Sequence, residues 1–285
     1  MGEPQKNQAN YPNSAVVLVD SVLQALREGR IYDLAQANFQ GIPAGGTQQP
    51  GFAYQLYRRH SDEYSANQRR TQASGVSIMT DHVGTHIDAI CHQAYDLEFF
   101  PNIKVDRSIE TPTGFTRQGA ETIGPIISRG VLLDVAASKD LDSLPIDYTI
   151  TEADLEGCTR QEGVVPQEGD AVLVRTGSGR FWRDPPRYLQ RSGLDKDSVK
   201  WLAGKSISLL GCDMSSPDSL TYADPDTGDS RFAHIILLAK GGVHIIENMF
   251  LEELSRARCY RFIFIGLPIK MVGATGAPIR PIAIA

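Results

Sequence analysis

The chain has 285 residues, of which 41% are hydrophobic and 22% are charged, an ordinary composition for a globular protein. Its formal net charge of −6 provides no positive field for nucleic acid or for an anionic membrane surface, so we expect neither as a partner. No stretch approaches the ~18 consecutive apolar residues of a membrane-spanning helix.

The N-terminal residues 1–14 are polar and rich in Gln and Asn, and they lack the apolar core of a signal peptide. We predict a flexible lead-in there. The four cysteines are far apart and form no CxxC pair, which fits a reducing compartment. We therefore expect a cytoplasmic protein with one domain over residues 15–285, since no repeat or long linker divides it.

The first third of this domain shows a helix, a short strand and a long irregular segment. Apolar spacing predicts a helix over 21–28 that ends at Gly29, followed by a strand over 31–35. Residues 41–74 are rich in Gly, Pro, Gln and Arg and carry four aromatic residues. We predict that this segment is irregular and lines or covers a site, with a disordered linker as the alternative. A strand over 75–80 follows.

The next motif, DHVGTHIDAICH at positions 81–92, contains three of the six histidines of the chain, with an aspartate between them. Histidine nitrogens and carboxylate oxygens are the ligands of zinc and also bind manganese. We therefore predict that His82, His86 and Asp88 bind a metal ion. The alternative is a set of hydrogen-bonded polar residues beside a core strand.

The spacing of these residues constrains the backbone. In an extended chain His82, His86, Asp88 and His92 would share one face. A straight strand would still hold His82 and His86 about 13 Å apart, too far for one ion. We predict a bent strand that runs into a loop, with the bend at Gly84, where glycine permits unusual backbone angles.

Strands and helices alternate irregularly along the remainder, which predicts an α/β domain with a mixed sheet. Phe99 and Phe100 are candidates either for a pocket wall or for the core. Asp213, at the end of a predicted strand, is expected either to support the site or to form a turn. The tail from 276 is expected to pack as an edge. The predicted strands are 130–135, 170–175, 206–210, 243–247 and 260–265, and the predicted helices begin at 151 and span 195–203 and 231–240.

The motif resembles the H-x-G-T-H-x-D-x-P-x-H signature of the metal-dependent cyclase hydrolases, the family that includes bacterial kynurenine formamidase and isatin hydrolase. Ile90 stands where many members carry proline, so the substrate stays open. The matching residues are His82, Gly84, Thr85, His86, Asp88 and His92.

The resemblance implies a barrel-like mixed sheet flanked by helices, the swivelling β/β/α architecture, in a homodimer or homotetramer. It also implies a second ligand group of His234 and Glu247, and one or two divalent ions, Zn²⁺ or Mn²⁺. The implied activity is hydrolysis of a C–N or C–O bond in a small amide, lactam, imide or lactone. His92 would act as general base and then protonate the leaving atom.

Three other functions are weighed against this hydrolase. A non-catalytic, metal-stabilised binding protein would use the same ligands but would need no base such as His92. A cysteine hydrolase could use Cys91, but Cys91 and His92 are neighbours on an extended chain and point apart. No G-x-S-x-G motif supports a serine hydrolase.

The alternation of side chains along the predicted strand 243–247 distinguishes between His234 and His244 as metal ligands. Glu247 and His244 lie on opposite faces of that strand, so a Glu247 that reaches the metal turns His244 away from it. The sequence therefore predicts that His234, on the preceding helix, is the partner of Glu247.

Overall fold

A computed structural model describes residues 23–285 apart from residues 25, 47, 68 and 226. The predicted lead-in over 1–14 lies outside the described residues. Of the predicted helix over 21–28, residues 23, 24 and 26–28 are described, and they are helical. None of the described helices is long and apolar enough to cross a membrane.

The strands and helices alternate irregularly, as the sequence predicts. The helices are α1 His60–Glu63, α2 Glu152–Glu162, α3 Pro185–Tyr188, α4 Lys196–Gly204, the π-helix α5 Ala233–Lys240 and α6 Glu252–Arg256. The strands are β1 Ile31–Asp33, β2 Phe52–Arg58, β3 Ser74–Met79, β4 His86–Asp88, β5 Glu98–Phe99, β6 Ile103–Lys104, β7 Glu110–Thr111, β8 Gly114–Phe115, β9 Ile126–Asp134, β10 Thr149–Ile150, β11 Ala171–Arg175, β12 Gly193–Leu194, β13 Leu209–Cys212, β14 His244–Glu247, β15 Arg261–Gly266, β16 Gly276–Pro278 and β17 Ile282–Ile284.

Nine of these strands form the central sheet, in the order β1-β17-β15-β9-β11-β13-β14-β4-β16. The four middle strands β9, β11, β13 and β14 are parallel, and their neighbours on both sides are antiparallel. The sheet curls into a half-barrel, so the predicted mixed, barrel-like sheet is confirmed. Every residue of β11 is buried, as expected for a parallel strand covered on both faces.

The helices pack against this sheet. Thr151 and Asp154 form a reciprocal capping box at the start of α2, as their spacing predicts. Asp195 caps α4 by accepting a hydrogen bond from the Ser198 backbone N–H. Helix α2 contacts both β9 and α4, and α4 contacts α5, so α5 is held in place before it reaches the site.

One prediction about the N-terminal third needs correction. The segment 41–74 is irregular only in part, because β2 pairs with β3 in an antiparallel hairpin outside the central sheet. These two strands form because β2 and β3 contain aromatic and β-branched residues, which favour pairing in a sheet. His60, at the tip of this hairpin, is exposed and hydrogen-bonds to Thr71.

Smaller differences concern single elements. Phe99 is buried against Phe115, which confirms the core interpretation for Phe99, whereas Phe100 is 41% exposed. Strand β13 starts later than predicted because Ser206, with φ 54°, belongs to a turn. The tail supplies the edge strand β16 as expected, but β17 lies inside the sheet, between β1 and β15.

Candidate metal centre

The histidine motif bends where the sequence predicts. Gly84 has φ 67°, in the left-handed region, and a Cβ there would lie 2.4 Å from Asn38 Oδ1. The strand is shorter than predicted: only His86 and Asp88 share a strand face, in β4. His82 enters from the preceding turn, and His92 enters from the 3₁₀ turn that follows.

The C-terminal residues arrive from an adjacent strand and a helix. Strand β14 pairs antiparallel with β4, with Glu247 opposite His86 in the register. His234 lies in the first turn of α5, a π-helix within the predicted helix over 231–240. π-Helical turns occur frequently at functional sites. All five predicted ligands and His92 are therefore brought to one place.

Four side chains converge with unpartnered atoms. His86 Nε2 lies 3.5 Å from an oxygen of each of Asp88 and Glu247. His234 Nε2 lies 3.6 Å from the other oxygen of each carboxylate. Three of the atoms are buried with no hydrogen-bond partner among the described residues: His86 Nε2, Asp88 Oδ2 and Glu247 Oε1.

These separations fit a metal centre. They are too long for good hydrogen bonds. Two ligands at about 2.1 Å from a tetrahedral ion lie about 3.4 Å apart, close to the separations seen here. Buried acceptors without a donor are costly unless a cation reaches them. The donor set of imidazole nitrogens and carboxylates is the one zinc and manganese accept.

Hydrogen bonds behind two histidines point their free nitrogens at the cluster. His86 Nδ1 donates to the Gly84 carbonyl at 3.0 Å, and His234 Nδ1 donates to Asp218 Oδ2 at 2.5 Å. In both rings Nε2 faces the carboxylates. Against the effect of burial, the surrounding carboxylates raise the pKa of both rings, and a metal ion would bind the neutral form, in which Nε2 carries no proton. Metal-binding histidines usually carry such an outer hydrogen bond, because it fixes the tautomer and the ring orientation.

His82 is oriented through a longer chain of contacts. The Thr275 hydroxyl donates to Asp81 Oδ2 at 3.1 Å, so its oxygen can accept from His82 Nε2 at 2.9 Å. This arrangement leaves His82 Nδ1 without a proton, 2.8 Å from Asp88 Oδ1. Two acceptors at that distance require a proton or a metal ion between them.

Of the two roles expected for Asp213, the structure supports the one in a turn, and a different aspartate supports the site. Asp213 accepts from the Thr176 and Gly177 backbone amides and from the Thr176 hydroxyl, and it holds the loop after β11. Asp218 supports the site: it orients His234 and accepts from the Ala233 amide. The only local signal was a second carboxylate in the same loop after a strand.

His92 differs from the proposed ligands. Its ring centroid lies 3.8 Å from that of His82, and its ring makes no hydrogen bond to any described residue. Burial, opposed by the charge of Asp88, lowers the pKa of His92 to about 3, so the ring is neutral at neutral pH. Its nitrogen also lies close enough to Asp88 and His234 for a shared metal ion.

The other candidates for chemistry lie away from the cluster. His244 Nδ1 bonds to the Asp88 carbonyl and faces a different cavity from Glu247, as the alternation predicts. Cys91 is buried, and burial raises the pKa of its thiol to about 12, which does not suit a nucleophile.

A cavity of about 470 Å³ opens onto the cluster. Residues 43–46 and Gln48 form part of its wall, as predicted for the irregular segment, but the exposed tyrosines of that segment do not. His82, His92, His234 and Glu247 lie on its inner wall, and Arg191 and Arg231 also line it. This volume is typical of a small-molecule site.

Comparison with known proteins identifies the family of the chain. Residues 32–219 match the family model described as "Putative cyclase". Kynurenine formamidase of Bacillus cereus is 26% identical over 208 residues, which cover 73% of this chain and 78% of that protein. Kynurenine formamidase of Bacillus anthracis is 25% identical over 231 residues, which cover 81% and 86%.

Solved structures show the same fold. A structure described as a novel cyclase superposes with a TM-score of 0.79 at 24% identity, covering 96% of this chain and 94% of that one. Isatin hydrolase A from Ralstonia solanacearum superposes with a TM-score of 0.72 at 20% identity, covering 98% and 99%. The chain belongs to the cyclase family, and it is an enzyme of the metal-dependent hydrolase class.

Proposed function

We propose that the protein hydrolyses a C–N or C–O bond in a small amide, lactam, imide or lactone. His82, His86, Asp88, His234 and Glu247 hold one or two divalent ions, Zn²⁺ or Mn²⁺. The observation that carries the proposal is the convergence of three buried, unpartnered atoms on Asp88, His86 and Glu247. The curated relatives, whose name is kynurenine formamidase, support a substrate of the amide class.

A divalent ion in this centre would lower the pKa of water toward neutrality and polarise a substrate carbonyl. The chain's own residues supply the rest. Neutral His92, on the cavity wall with a free ring nitrogen, takes the proton of the attacking water. It then returns that proton to the leaving nitrogen or oxygen. Asp218 and Thr275 hold His234 and His82 in the tautomers described above.

A non-catalytic binding protein is the alternative function. It would use the same ligands, but it would have no need for a neutral histidine on the cavity wall. The free ring of His92 favours catalysis, because a structural metal site leaves no proton to be moved.

The test is metal dependence of hydrolysis. Protein depleted with a chelator and protein reloaded with Zn²⁺ or Mn²⁺ are screened against formyl-anilides, isatin, hydantoins and lactones. We expect hydrolysis of at least one class with loaded protein and none with depleted protein. Full activity of metal-free protein would refute the proposal, and loaded protein without hydrolysis of any class would favour the binding protein.

We also propose a cytoplasmic homodimer or homotetramer. The β2–β3 hairpin stands outside the central sheet and exposes Tyr57 by 70% and Ile78 by 58%. Isolated hairpins are marginally stable, and exposed apolar patches commonly mark interfaces. Light scattering after size exclusion should show more than one chain per particle, and Tyr57→Ser with Ile78→Ser should shift the protein toward monomer. A monomeric wild type would contradict this.

A further inference from the structure

The wall of the cavity contains a buried arginine that forms no ion pair with any described acidic residue. Arg191 is 5% exposed, and its Nε donates to the Ser216 carbonyl at 3.0 Å. Within the described part of the chain, no carboxylate forms an ion pair with its guanidinium, and its two Nη groups donate no hydrogen bond. Arginine cannot lose its charge in a protein, so Arg191 is a buried cation to which the described residues supply no ion-pair partner.

Other arginines in this fold show how unusual this arrangement is. Arg175, also buried, forms ion pairs with Asp134 and Glu252. Arg129 holds Asp170 with two hydrogen bonds. Buried charges are normally paired, because an unpaired one loses its hydration without compensation. The described residues therefore leave Arg191 without an ion-pair partner, and a bound molecule can supply one.

The carboxylates nearest to Arg191 have other tasks. Asp218 accepts from His234 and from the Ala233 amide. Glu247 faces the histidines of the metal centre. A second cation, the exposed Arg231, lines the same cavity with a backbone φ of 61°, a conformation that is uncommon for a residue with a side chain. Two guanidinium groups and the metal centre therefore line the same cavity.

We propose that Arg191 binds a carboxylate of the substrate. The inference rests on the proposed function: the enzyme acts on amides or lactones that carry a carboxylate, which Arg191 holds while the carbonyl lies at the metal centre. A guanidinium presents a fork of N–H donors that matches a carboxylate with two parallel hydrogen bonds. The cavity of about 470 Å³ accommodates a molecule of that size.

The test compares two ligands that differ only in charge. N-acetylanthranilate carries an amide and a carboxylate, and N-acetylanthranilamide replaces the carboxylate with a neutral amide. Calorimetry on metal-loaded protein gives both dissociation constants without requiring turnover. We expect the wild type to bind the acid about 10- to 100-fold more tightly, the usual value of hydrogen bonds to a charged group.

Variants assign this preference to Arg191. Arg191→Met should bring the ratio of the two dissociation constants close to one, and Arg191→Lys should keep part of it. Arg183→Met is the matched control, because Arg183 is exposed against Phe39 and does not line the cavity. The control should keep the wild-type ratio. If Arg191→Met does not fold, the wild type and Arg191→Lys still decide the matter.

Several outcomes would overturn the proposal. They are a wild type that does not bind the acid, a wild type that binds both ligands equally, and a preference that survives in Arg191→Met. The last would assign the carboxylate to the metal centre or to Arg231. Metal-dependent hydrolysis without acid preference would refute only the role of Arg191. Acid preference without hydrolysis would refute only the proposed function.

Discussion

Two clusters of buried charge lie on strands of the same sheet, and their bonding differs. At the ends of β9 and β11, Arg175 binds Asp134 at 2.7 Å and Glu252 at 2.9 Å, so the cation is part of the chain. At β4 and β14, Asp88 and Glu247 face two histidine nitrogens at 3.5–3.6 Å, and no lysine or arginine of the described chain forms an ion pair with them.

The two clusters are similarly buried, but the charges of the Arg175 cluster compensate one another within the chain, whereas those of the Asp88 cluster are suited to binding an ion. The Arg175 cluster is complete when the chain folds. The Asp88 cluster holds two carboxylates and two imidazoles whose outer nitrogens are already committed to Gly84 and Asp218. We infer that this cluster takes its cation from outside the chain, and breaking each cluster compares the two directly.

The largest expected effect comes from breaking each cluster in metal-free protein. Arg175→Met should lower the free energy of unfolding by about 3–5 kcal/mol, because it leaves buried carboxylates without their cation. Asp88→Asn should lower it by less than Arg175→Met does, because histidines, which can release a proton, take the place of an arginine beside the Asp88 carboxylate. Urea unfolding in the presence of a chelator measures both. Equal losses of stability would show that the Asp88 cluster is structural.

Saturating metal sharpens the contrast. At about 100 times the dissociation constant, a bound ion stabilises the wild type by ~2.7 kcal/mol. Arg175→Met, if folded, should gain the same amount, whereas Asp88→Asn should gain little. A comparable gain for Asp88→Asn would remove Asp88 from the ligand set.

The next largest effect tests whether His92, beside the Asp88 cluster, is a general base or a metal ligand. His92→Ala should keep its metal and lower kcat by about 10²–10⁴, the usual contribution of a general base. Metal analysis and steady-state kinetics on the same preparation check both parts. His244→Ala is the matched histidine control, and its kcat should change little. A His92→Ala protein without metal would make His92 a ligand.

The smallest effect tests an acid beside the Arg175 cluster. Glu162 Oε1 accepts from the Asp134 amide, and burial raises the pKa of Glu162 to about 8. A raised pKa in the folded state gives stability that is complete below about pH 4.5 and is lost as the pH rises through about 8.

Glu162→Gln stays neutral and keeps the acceptor oxygen. It should therefore be more stable than the wild type at pH 9 by about 1–2 kcal/mol, a figure reduced for partial exposure. The difference should shrink toward zero below pH 4.5. Urea unfolding across this range measures it, and a constant difference would mean that Glu162 does not titrate as described.

The sequence predicts the residues of the metal centre better than the residues that orient them. The density of histidines in 81–92 and the glycine at position 84 are local signals, and both the cluster and its bend are found in the structure. Alternation along 243–247 correctly separates Glu247 from His244. The family model covers residues 32–219, so His234 and Glu247 lie beyond the matched part.

What the sequence misses depends on contacts between distant residues. Thr275 reaches His82 across 193 positions, and no periodic pattern indicates such a contact. Arg191 looks like any surface arginine until the fold shows its burial and the absence of an acidic partner among the described residues. The β2–β3 hairpin is missed because its glycine, proline and arginine content resembles that of a loop.

The central claim is that His234 and Glu247 complete a metal centre with the histidine motif. The most direct test measures the metal bound per chain in purified His234→Ala and His244→Ala. The account predicts a strong loss of metal for His234→Ala and wild-type metal content for His244→Ala, whose ring bonds to the Asp88 carbonyl on the far side of β14. An empty His244→Ala beside a fully loaded His234→Ala would contradict it.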